Sequence, residues 1–242
     1  MAKRLNRREL LERGAGAGAA LAVAWHVNPA ASAESRSPNE KLNIAAVGTM
    51  NRAGANIAGT SSENIVALCD VDENLLGKAA ERYPQARKYR DFRVMLEREA
   101  DKIDAVLVGT PDHCHAPAAA MALRLNKHVY CEKPLTHTVF EARTLAELAR
   151  KNKRVTQMGT QIHAGDNYRR VVELVQSGAI GEVREAHVWV GVDYSGRSLT
   201  TGTPVPKHLD WDLWQGPAPE RPYSDGVHPH HWRWFWDTKR RR

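Results

Sequence analysis

The sequence predicts an α/β protein whose first large domain is a doubly wound parallel sheet. Short apolar runs, such as LNIAAV at 42–47 and IVALCDV at 65–71, alternate with segments of helical periodicity as far as residue 158. Both runs are apolar on both faces, which is typical of strands buried inside a parallel sheet. Repeated alternation of this kind indicates βαβ units with right-handed crossovers.

The remaining elements follow the same alternation and then change character. Further strands are predicted at 105–108, 128–131 and 155–158, with helices at 52–58, 72–82, 94–99, 116–125 and 138–151. Beyond Gly165, residues 168–177 have the period of an amphipathic helix, and 183–192 alternate like a half-exposed strand. We therefore expect the first domain to cover residues 42–160. Residues 161–242 are expected to be the incomplete start of an α+β domain.

The positive charge lies at the two ends of the chain. The formal net charge is +7, but the first 33 residues hold five basic and two acidic side chains, and residues 239–242 add four basic ones. The body between them is close to neutral. A nucleic-acid-binding domain normally carries a clustered basic surface, so this class of protein is excluded.

The first 33 residues have the pattern of a signal peptide, and residues 34–41 that of a linker. A basic start is followed by an apolar run at 14–27 and by the small residues Ala31, Ser32 and Ala33. The run is shorter than the roughly 20 residues that a membrane span needs, so no stable span is expected. NRRELL at 6–11 resembles a twin-arginine signal, which predicts a protein exported to the periplasm. Paired arginines in an ordinary basic leader are the alternative.

The turn after the first strand is a partial dinucleotide fingerprint. A G-x-G-x-x-G motif requires glycine at 48, 50 and 53, and the chain has Gly48, Met50 and Ala53 there. Asp70, about 20 residues on at the end of the next strand, is placed to accept hydrogen bonds from both ribose hydroxyls. A carboxylate at this point repels a 2′-phosphate, so the motif favours NAD over NADP.

Two further motifs follow strands whose carboxyl ends meet at the same edge of the sheet. They are GTPDHCH at 109–115 and YCEKPL at 130–135. Together they resemble the signature of the glucose-fructose oxidoreductase, inositol dehydrogenase and rhizopine-catabolism (Gfo/Idh/MocA) family. The resemblance runs from about residue 42 to 182, through GTQIH at 159–163 and VELVQSGAIG at 172–181.

This resemblance implies a Rossmann domain in an NAD-dependent oxidoreductase, with a sugar, polyol or related carbohydrate as the substrate. Lys133, in the E-K-P tripeptide, is implied to exchange a proton with the substrate hydroxyl. The ion pair with Glu132, or a solvated loop, is the inert alternative for Lys133. Pro134 is implied to follow a cis bond, as in many relatives. The implied cofactor residues are Gly48, Thr49, Met50, Asn51, Arg52, Asp70, Thr110, Pro111, Asp112, His115, Glu132 and Lys133, and the substrate candidates are Gln161, His163 and Tyr168.

Other clusters favour less specific interpretations. Residues 113–115 (HCH) and the histidines at 228, 230 and 231 lack the spacing of a metal site, and no metal is expected. The three cysteines are expected to be free thiols. The tryptophans at 211, 214, 232, 234 and 236 could stack on sugars or simply pack in a core.

The family resemblance also bears on the end of the chain. Intact relatives continue with residues that complete the catalytic set and form homo-oligomers. We therefore expect a truncated second domain here, by a frameshift or early stop before the terminal KRRR. A catalytically incomplete nucleotide-binding remnant and an NAD-dependent glycoside-cleaving enzyme remain alternative functions.

Overall fold

The computed structural model describes residues 41–189, 191 and 202–235 and contains a six-stranded parallel sheet. Its strands are β1 (Asn43–Val47), β2 (Asn64–Cys69), β3 (Arg87–Tyr89), β4 (Ala105–Val108), β5 (His128–Glu132) and β6 (Thr156–Gly159). They lie in the order β3-β2-β1-β4-β5-β6, and every neighbouring pair is parallel. This is the strand order of a doubly wound dinucleotide-binding sheet, which confirms the predicted fold class.

The helices that connect these strands agree with the predicted ones to within two residues at each end. They are α1 (Arg52–Gly59), α2 (Glu73–Arg82), α3 (Phe92–Glu99), α4 (His115–Arg124) and α5 (Val139–Lys151), followed by α6 (Asp166–Gln176) and α7 (Trp211–Gln215). Short 3₁₀ turns occur at Ala100–Lys102, Asp112–Cys114, Gln161–Ala164 and His231–Trp234. None of the helices in the described ranges has the length and apolar character needed to cross a membrane.

Side-chain caps fix where two of the helices begin. The Asp72 carboxylate accepts hydrogen bonds from the N–H groups of Asn74 and Leu75, so Asp72 is the N-cap of α2 and lies outside it. Thr138 and Glu141 form a reciprocal capping box at the start of α5. These caps explain why both helices start one residue later than the periodicity alone predicts.

The sheet separates two hydrophobic layers. Along β1, Ala45 and Val47 belong to the cluster beneath α3, α4 and α5, whereas Ile44 and Ala46 belong to the cluster beneath α1 and α2. Successive side chains of a strand point to opposite faces, so one strand contributes to both layers. Helices therefore cover both faces, and the carboxyl ends of the strands are left to form a site. Cys69, Cys114 and Cys131 are buried free thiols, as expected.

Strand β3 is the element that the sequence did not reveal. Its three residues are polar or only half buried, since it is the outer strand next to β2. The carboxylate of Glu99 on α3 holds β3 in place. It accepts hydrogen bonds from the Arg87 guanidinium and, at 2.5 Å, from the Tyr89 hydroxyl, and both donors lie on this strand. Burial opposes ionisation of Glu99, but the hydrogen bonds from Arg87, Tyr89 and Lys102 outweigh it and lower its pKa to about 2.

The predicted strand at 183–192 is wrong in the part that the structure describes. Residues 183–189 form no strand, and Val188 and Trp189 are 96% and 85% exposed. A strand requires a hydrogen-bonded neighbour, and the described residues supply none beside this segment. The apolar face of α6 is likewise exposed. The predicted signal peptide (1–33), the linker up to residue 40 and the basic end at 239–242 lie outside the described residues.

Candidate active site

A cleft of about 330 Å³ opens at the carboxyl ends of β1, β2, β4 and β5. The strand order reverses between β1 and β4, and open sheets bind ligands in the crevice at such a point. All of the cofactor residues implied by the sequence line this cleft, and so does Gln161. Residues from four separate turns therefore meet in one place.

The β1–α1 turn, residues 48–51, lines the cleft. Gly48 has φ +87°, and a Cβ at this residue would lie 2.8 Å from the Gly109 carbonyl oxygen. Any larger residue would be excluded here on both grounds. Met50, at the position of the second fingerprint glycine, is 37% exposed at the cleft wall.

The amino terminus of α1 fits a dinucleotide pyrophosphate. No side chain caps this helix, and its first turn contains no acidic residue. The first N–H groups of a helix lack partners within it and carry partial positive charge, so they attract phosphate oxygens. Arg52 opens the helix and also lines the cleft. The residues present therefore fit the phosphates of NAD.

Asn51 carries backbone strain in this turn. Its φ and ψ are 52° and −115°, a combination that residues with a Cβ rarely adopt. We expect Asn51→Gly to raise the free energy of unfolding by about 1 kcal/mol, because relief of strain exceeds the added entropy of glycine in the unfolded chain. Denaturant unfolding measures this difference. The matched control is Asn126→Gly, also at positive φ (60°), in a turn away from the cleft. An unchanged or lowered stability of Asn51→Gly would contradict the assignment of strain.

Asp70 is held rigidly at the end of β2. One carboxylate oxygen accepts hydrogen bonds from the Thr49 N–H at 2.9 Å and the Thr49 hydroxyl at 2.8 Å. The other accepts from the Asp72 N–H at 3.1 Å. Burial raises the pKa of Asp70, and these hydrogen bonds act in the opposite direction. With about two acceptor positions per carboxylate oxygen, the oxygen bonded to the Asp72 N–H keeps one of them free, so the carboxylate can still accept a hydrogen bond from a ribose hydroxyl of NAD.

The turn after β4 places a second carboxylate in the cleft. Burial raises the pKa of Asp112, while the neighbouring basic groups His115, Arg233 and Lys133 oppose this effect in that order. Asp112 thus lies near basic side chains from three parts of the chain. His115 is 1% exposed beneath this turn, and both of its ring nitrogens face backbone carbonyl oxygens.

The E-K-P turn after β5 separates a buried acid from an exposed amine. Glu132 is 4% exposed and accepts a hydrogen bond from the Asn56 amide at 2.9 Å, with the Tyr130 hydroxyl 3.4 Å away. Lys133 is exposed and lines the cleft, and the Lys133–Pro134 peptide bond is cis. The Glu132 carboxylate is therefore turned towards α1, and the Lys133 amine is available to a ligand in the cleft.

Of the three substrate candidates, Gln161 lies at the cleft, whereas His163 and Tyr168 do not line it. Gln161 lines the cleft, and its amide oxygen accepts hydrogen bonds from the Arg52 guanidinium. His163 and Tyr168 instead stack on each other with ring centroids 5.1 Å apart, and neither lines the cleft in the described part of the chain. The structure thus supports a role at this cleft for Gln161.

A segment that sequence reasoning left without a role, residues 202–235, forms one wall of the cleft; we name it the strap. The Asp210 N–H donates to the Val71 carbonyl at 3.0 Å, and the Glu73 N–H donates to the His208 carbonyl at 2.9 Å. These two bonds dock the strap alongside the end of β2. The strap residues that line the cleft are Leu213, Trp214, His228, Pro229, Trp232 and Arg233.

Histidines and tryptophans explain how the strap is fixed. His113 Nε2 donates to the Trp214 carbonyl at 2.9 Å, and His228 Nε2 lies 3.0 Å from the Asp72 carboxylate. Trp211 and Trp214 stack at 4.7 Å, and Trp211, Trp214 and Trp232 are at most 9% exposed. These three tryptophans belong to one hydrophobic core cluster, which favours the packing interpretation over sugar stacking. The side chain of Trp234 and all of residue 236 lie outside the description.

The cleft residues missed by sequence reasoning include a group on the β2 side. Leu75, Arg90 and Phe92 line the wall beside Asp70. Arg90 forms ion pairs with Glu73 at 3.1 Å and with Asp210 of the strap at 3.8 Å. Arg90 and Phe92 follow strand β3. Because β3 lacks the apolar pattern of a buried strand, the sequence did not indicate a strand end at these residues.

Two protein-family models match the chain. Residues 42–160 match the Gfo/Idh/MocA oxidoreductase family's NAD-binding Rossmann fold, and residues 167–240 match the C-terminal alpha/beta domain of the same family. The inositol 2-dehydrogenase of Salmonella typhimurium is 31% identical over 130 residues, which are 52% of this chain and 38% of that protein. A glycosyl hydrolase family 109 protein of Saccharopolyspora erythraea is 29% identical over 203 residues, 74% of this chain and 44% of that protein.

Solved structures give the same result. Scyllo-inositol dehydrogenase from Lactobacillus casei, with bound cofactor NAD(H) and scyllo-inositol, matches with a TM-score of 0.53 and 26% identity, over 59% of this chain and 43% of that one. The chain spans about two fifths of the length of the relatives it matches. The strand order, the NAD-fitting cleft and the two family models lead to one conclusion: the chain belongs to the Gfo/Idh/MocA oxidoreductase family and carries its NAD-binding Rossmann domain.

Proposed function

We propose that this protein transfers a hydride between NAD and a hydroxyl-bearing carbon of a sugar, polyol or related carbohydrate. The observation that carries the proposal is the exposed Lys133 amine, which lines the same cleft as Asp70. One end of that cleft fits the adenosine ribose and the other offers a group that can exchange a proton. Relatives named inositol 2-dehydrogenase and a solved relative with NAD(H) and scyllo-inositol support the substrate class.

Each part of the cleft has a separate task in this proposal. The α1 amino terminus and the Gly48 turn hold the pyrophosphate, and Asp70 holds the ribose and repels a 2′-phosphate. Bound NAD⁺ supplies a two-electron acceptor for the hydride. In the oxidative direction, Lys133 Nζ takes the proton from the substrate hydroxyl as the C–H bond breaks and the carbonyl forms. The strap walls the cleft and limits the access of water.

We also propose that the protein is exported to the periplasm by the twin-arginine route. The support for export is the pattern of residues 1–33 in the sequence. Fractionation of cells that carry Arg7→Lys and Arg8→Lys together tests this route. Unchanged export of that variant would contradict it.

The cofactor assignment is tested by replacing Asp70. We expect Asp70→Ala to raise the Kd for NAD by about tenfold or more, because charge-assisted hydrogen bonds to the ribose are lost at roughly 1.5 kcal/mol each. Asp70→Ala should also lower the ratio of the Kd for NADP to the Kd for NAD. Calorimetry on the purified chain measures both. The control is Asp104→Ala, whose carboxylate accepts the Asn43 N–H at the opposite end of the sheet. Equal affinities of Asp70→Ala and the parent chain would refute the assignment.

The reaction itself is tested with a panel of inositols, other polyols and sugars, by following NAD⁺ reduction and identifying the products. Glycoside cleavage is a second candidate, because the glycosyl hydrolase family 109 relative matches 74% of the chain and reaches further than the inositol dehydrogenase match. Oxidised carbohydrate with stoichiometric NADH supports the dehydrogenase. Cleaved glycoside without net NADH supports the second candidate. Absence of both in an NAD-binding sample would favour a nucleotide-binding remnant.

A further inference from the structure

His115 has an arrangement that a neutral histidine cannot satisfy. Its Nδ1 lies 2.7 Å from the Pro134 carbonyl oxygen, and its Nε2 lies 2.8 Å from the Thr110 carbonyl oxygen. A carbonyl oxygen can only accept a hydrogen bond, so both ring nitrogens must donate. A neutral imidazole has one N–H and would press a nitrogen lone pair against the second oxygen. The imidazolium has two N–H groups and satisfies both contacts.

Burial of His115 strengthens the requirement for two N–H donors on its ring. His115 is 1% exposed, so water cannot replace either carbonyl as a partner. A buried cation needs a nearby negative charge, and the Asp112 carboxylate provides one in the same turn. His115 is the first of the positive neighbours that oppose the raised pKa of Asp112, ahead of Arg233, Lys133 and His137. Burial raises the pKa of the Asp112 carboxyl, and His115 acts against that effect.

The two carbonyl groups belong to the two halves of the cleft. Thr110 lies in the turn after β4 that borders the cofactor region, and Pro134 follows Lys133 in the turn after β5. β4 and β5 are neighbouring strands, but beyond their last paired residues no ladder holds these two turns together. The ring of His115 bridges them from below.

We propose that His115 is a buried imidazolium that positions Lys133, since its two N–H groups tie the turn that carries Lys133 to the cofactor turn. Both ring nitrogens are engaged by the backbone, so His115 acts on a ligand through these turns. The role in positioning rests on the proposed function of Lys133, whereas the charge state of His115 does not.

The charge state is tested on the unaltered chain. In a sample with ¹⁵N-labelled histidine, the His115 ring is expected to show two protonated nitrogens at pH 7, as an imidazolium does. His115→Gln, which lacks these signals, assigns them. One protonated and one bare nitrogen in the folded chain would overturn the proposal without bearing on the function of Lys133.

The positioning role is tested by His115→Gln against His128→Gln. His128 is the matched control because it lies at the opposite end of β5 and its ring accepts a hydrogen bond from the Val155 N–H. We expect His115→Gln to lower kcat by about tenfold or more, since small displacements of a catalytic group have such effects, with a smaller change in KM. The rate at which an acylating reagent modifies Lys133, followed by mass spectrometry, should change in His115→Gln and stay constant in His128→Gln.

A folded His115→Gln protein with parental Lys133 reactivity and kcat would overturn the positioning role. The acylation rate needs no turnover, so it separates this proposal from the proposed function. If no carbohydrate is oxidised but the Lys133 reactivity depends on His115, the proposed function fails and the positioning role stands.

Discussion

Replacing Lys133 by methionine is expected to lower turnover by about 10²- to 10⁴-fold while NAD binding is retained, because a positioned proton-transfer group contributes this much to a rate. Methionine is unbranched and similar in length to lysine but carries no exchangeable proton. Lys133 is exposed, so the substitution leaves no buried partner unpaired. Steady-state kinetics on the best carbohydrate of the panel, together with calorimetry of NAD, measures both quantities.

The control for this variant is Lys127→Met, just before the amino end of β5 and far from the cleft lining. It should keep the parental kcat and KM. If Lys133 acts only in the chemical step, kcat and kcat/KM fall together in Lys133→Met. A rise in KM alone would show that the amine binds substrate without exchanging its proton. Full turnover in Lys133→Met would remove Lys133 from the mechanism.

The parts of this site that the sequence could predict are those that depend on local pattern. β1, β2, β4 and β5 are buried and apolar, so their ends could be located, and with them Gly48, Asp70 and Lys133. Parallel strands bring their carboxyl ends to one edge, which is why residues predicted separately line one cleft. The assignment of NAD follows from Asp70 and from the family match.

The strap could not be predicted, because its contacts join residues far apart in the chain. The bond from His113 to the Trp214 carbonyl spans 101 residues, and that from His228 to Asp72 spans 156. A run rich in tryptophan indicates burial or ligand stacking equally well until its partner is known. Strand β3 was missed for the related reason that its residues are exposed and are held by Glu99 of α3.

Gly109→Ala is expected to destabilise the fold by about 2–3 kcal/mol, because it forces a methyl group into a closed contact. A Cβ at Gly109 would lie 2.6 Å from the Cβ of Ala53 and 2.9 Å from its Cα, closer than van der Waals contact permits. Ala53 is on α1, so the clash pushes the helix amino terminus away from the ends of β1 and β4. NAD affinity should fall with stability, since the phosphate-binding N–H groups move with the helix.

A control of opposite sign is available in Gly77→Ala. Gly77 lies within α2, and a Cβ there would meet no atom within 4 Å. Alanine favours a helix over glycine, so this variant should be about 0.5–1 kcal/mol more stable than the parent chain. Denaturant unfolding of both variants therefore distinguishes a local clash from a general effect of replacing glycine.

The energy of the contact between Gly109 and Ala53 can then be measured with a double variant, in which the methyl group is removed from residue 53 and added to residue 109. Ala53→Gly alone should cost about 1 kcal/mol through helix propensity. In the double variant Gly109→Ala with Ala53→Gly, the new Cβ no longer meets another Cβ but still approaches the Ala53 Cα position. We therefore expect partial recovery, with a coupling of about 1–2 kcal/mol and a partly restored NAD affinity. Strict additivity would mean that some other contact makes glycine necessary at 109. The coupling would show that the small pair at 53 and 109 replaces the third fingerprint glycine in bringing α1 close to the sheet.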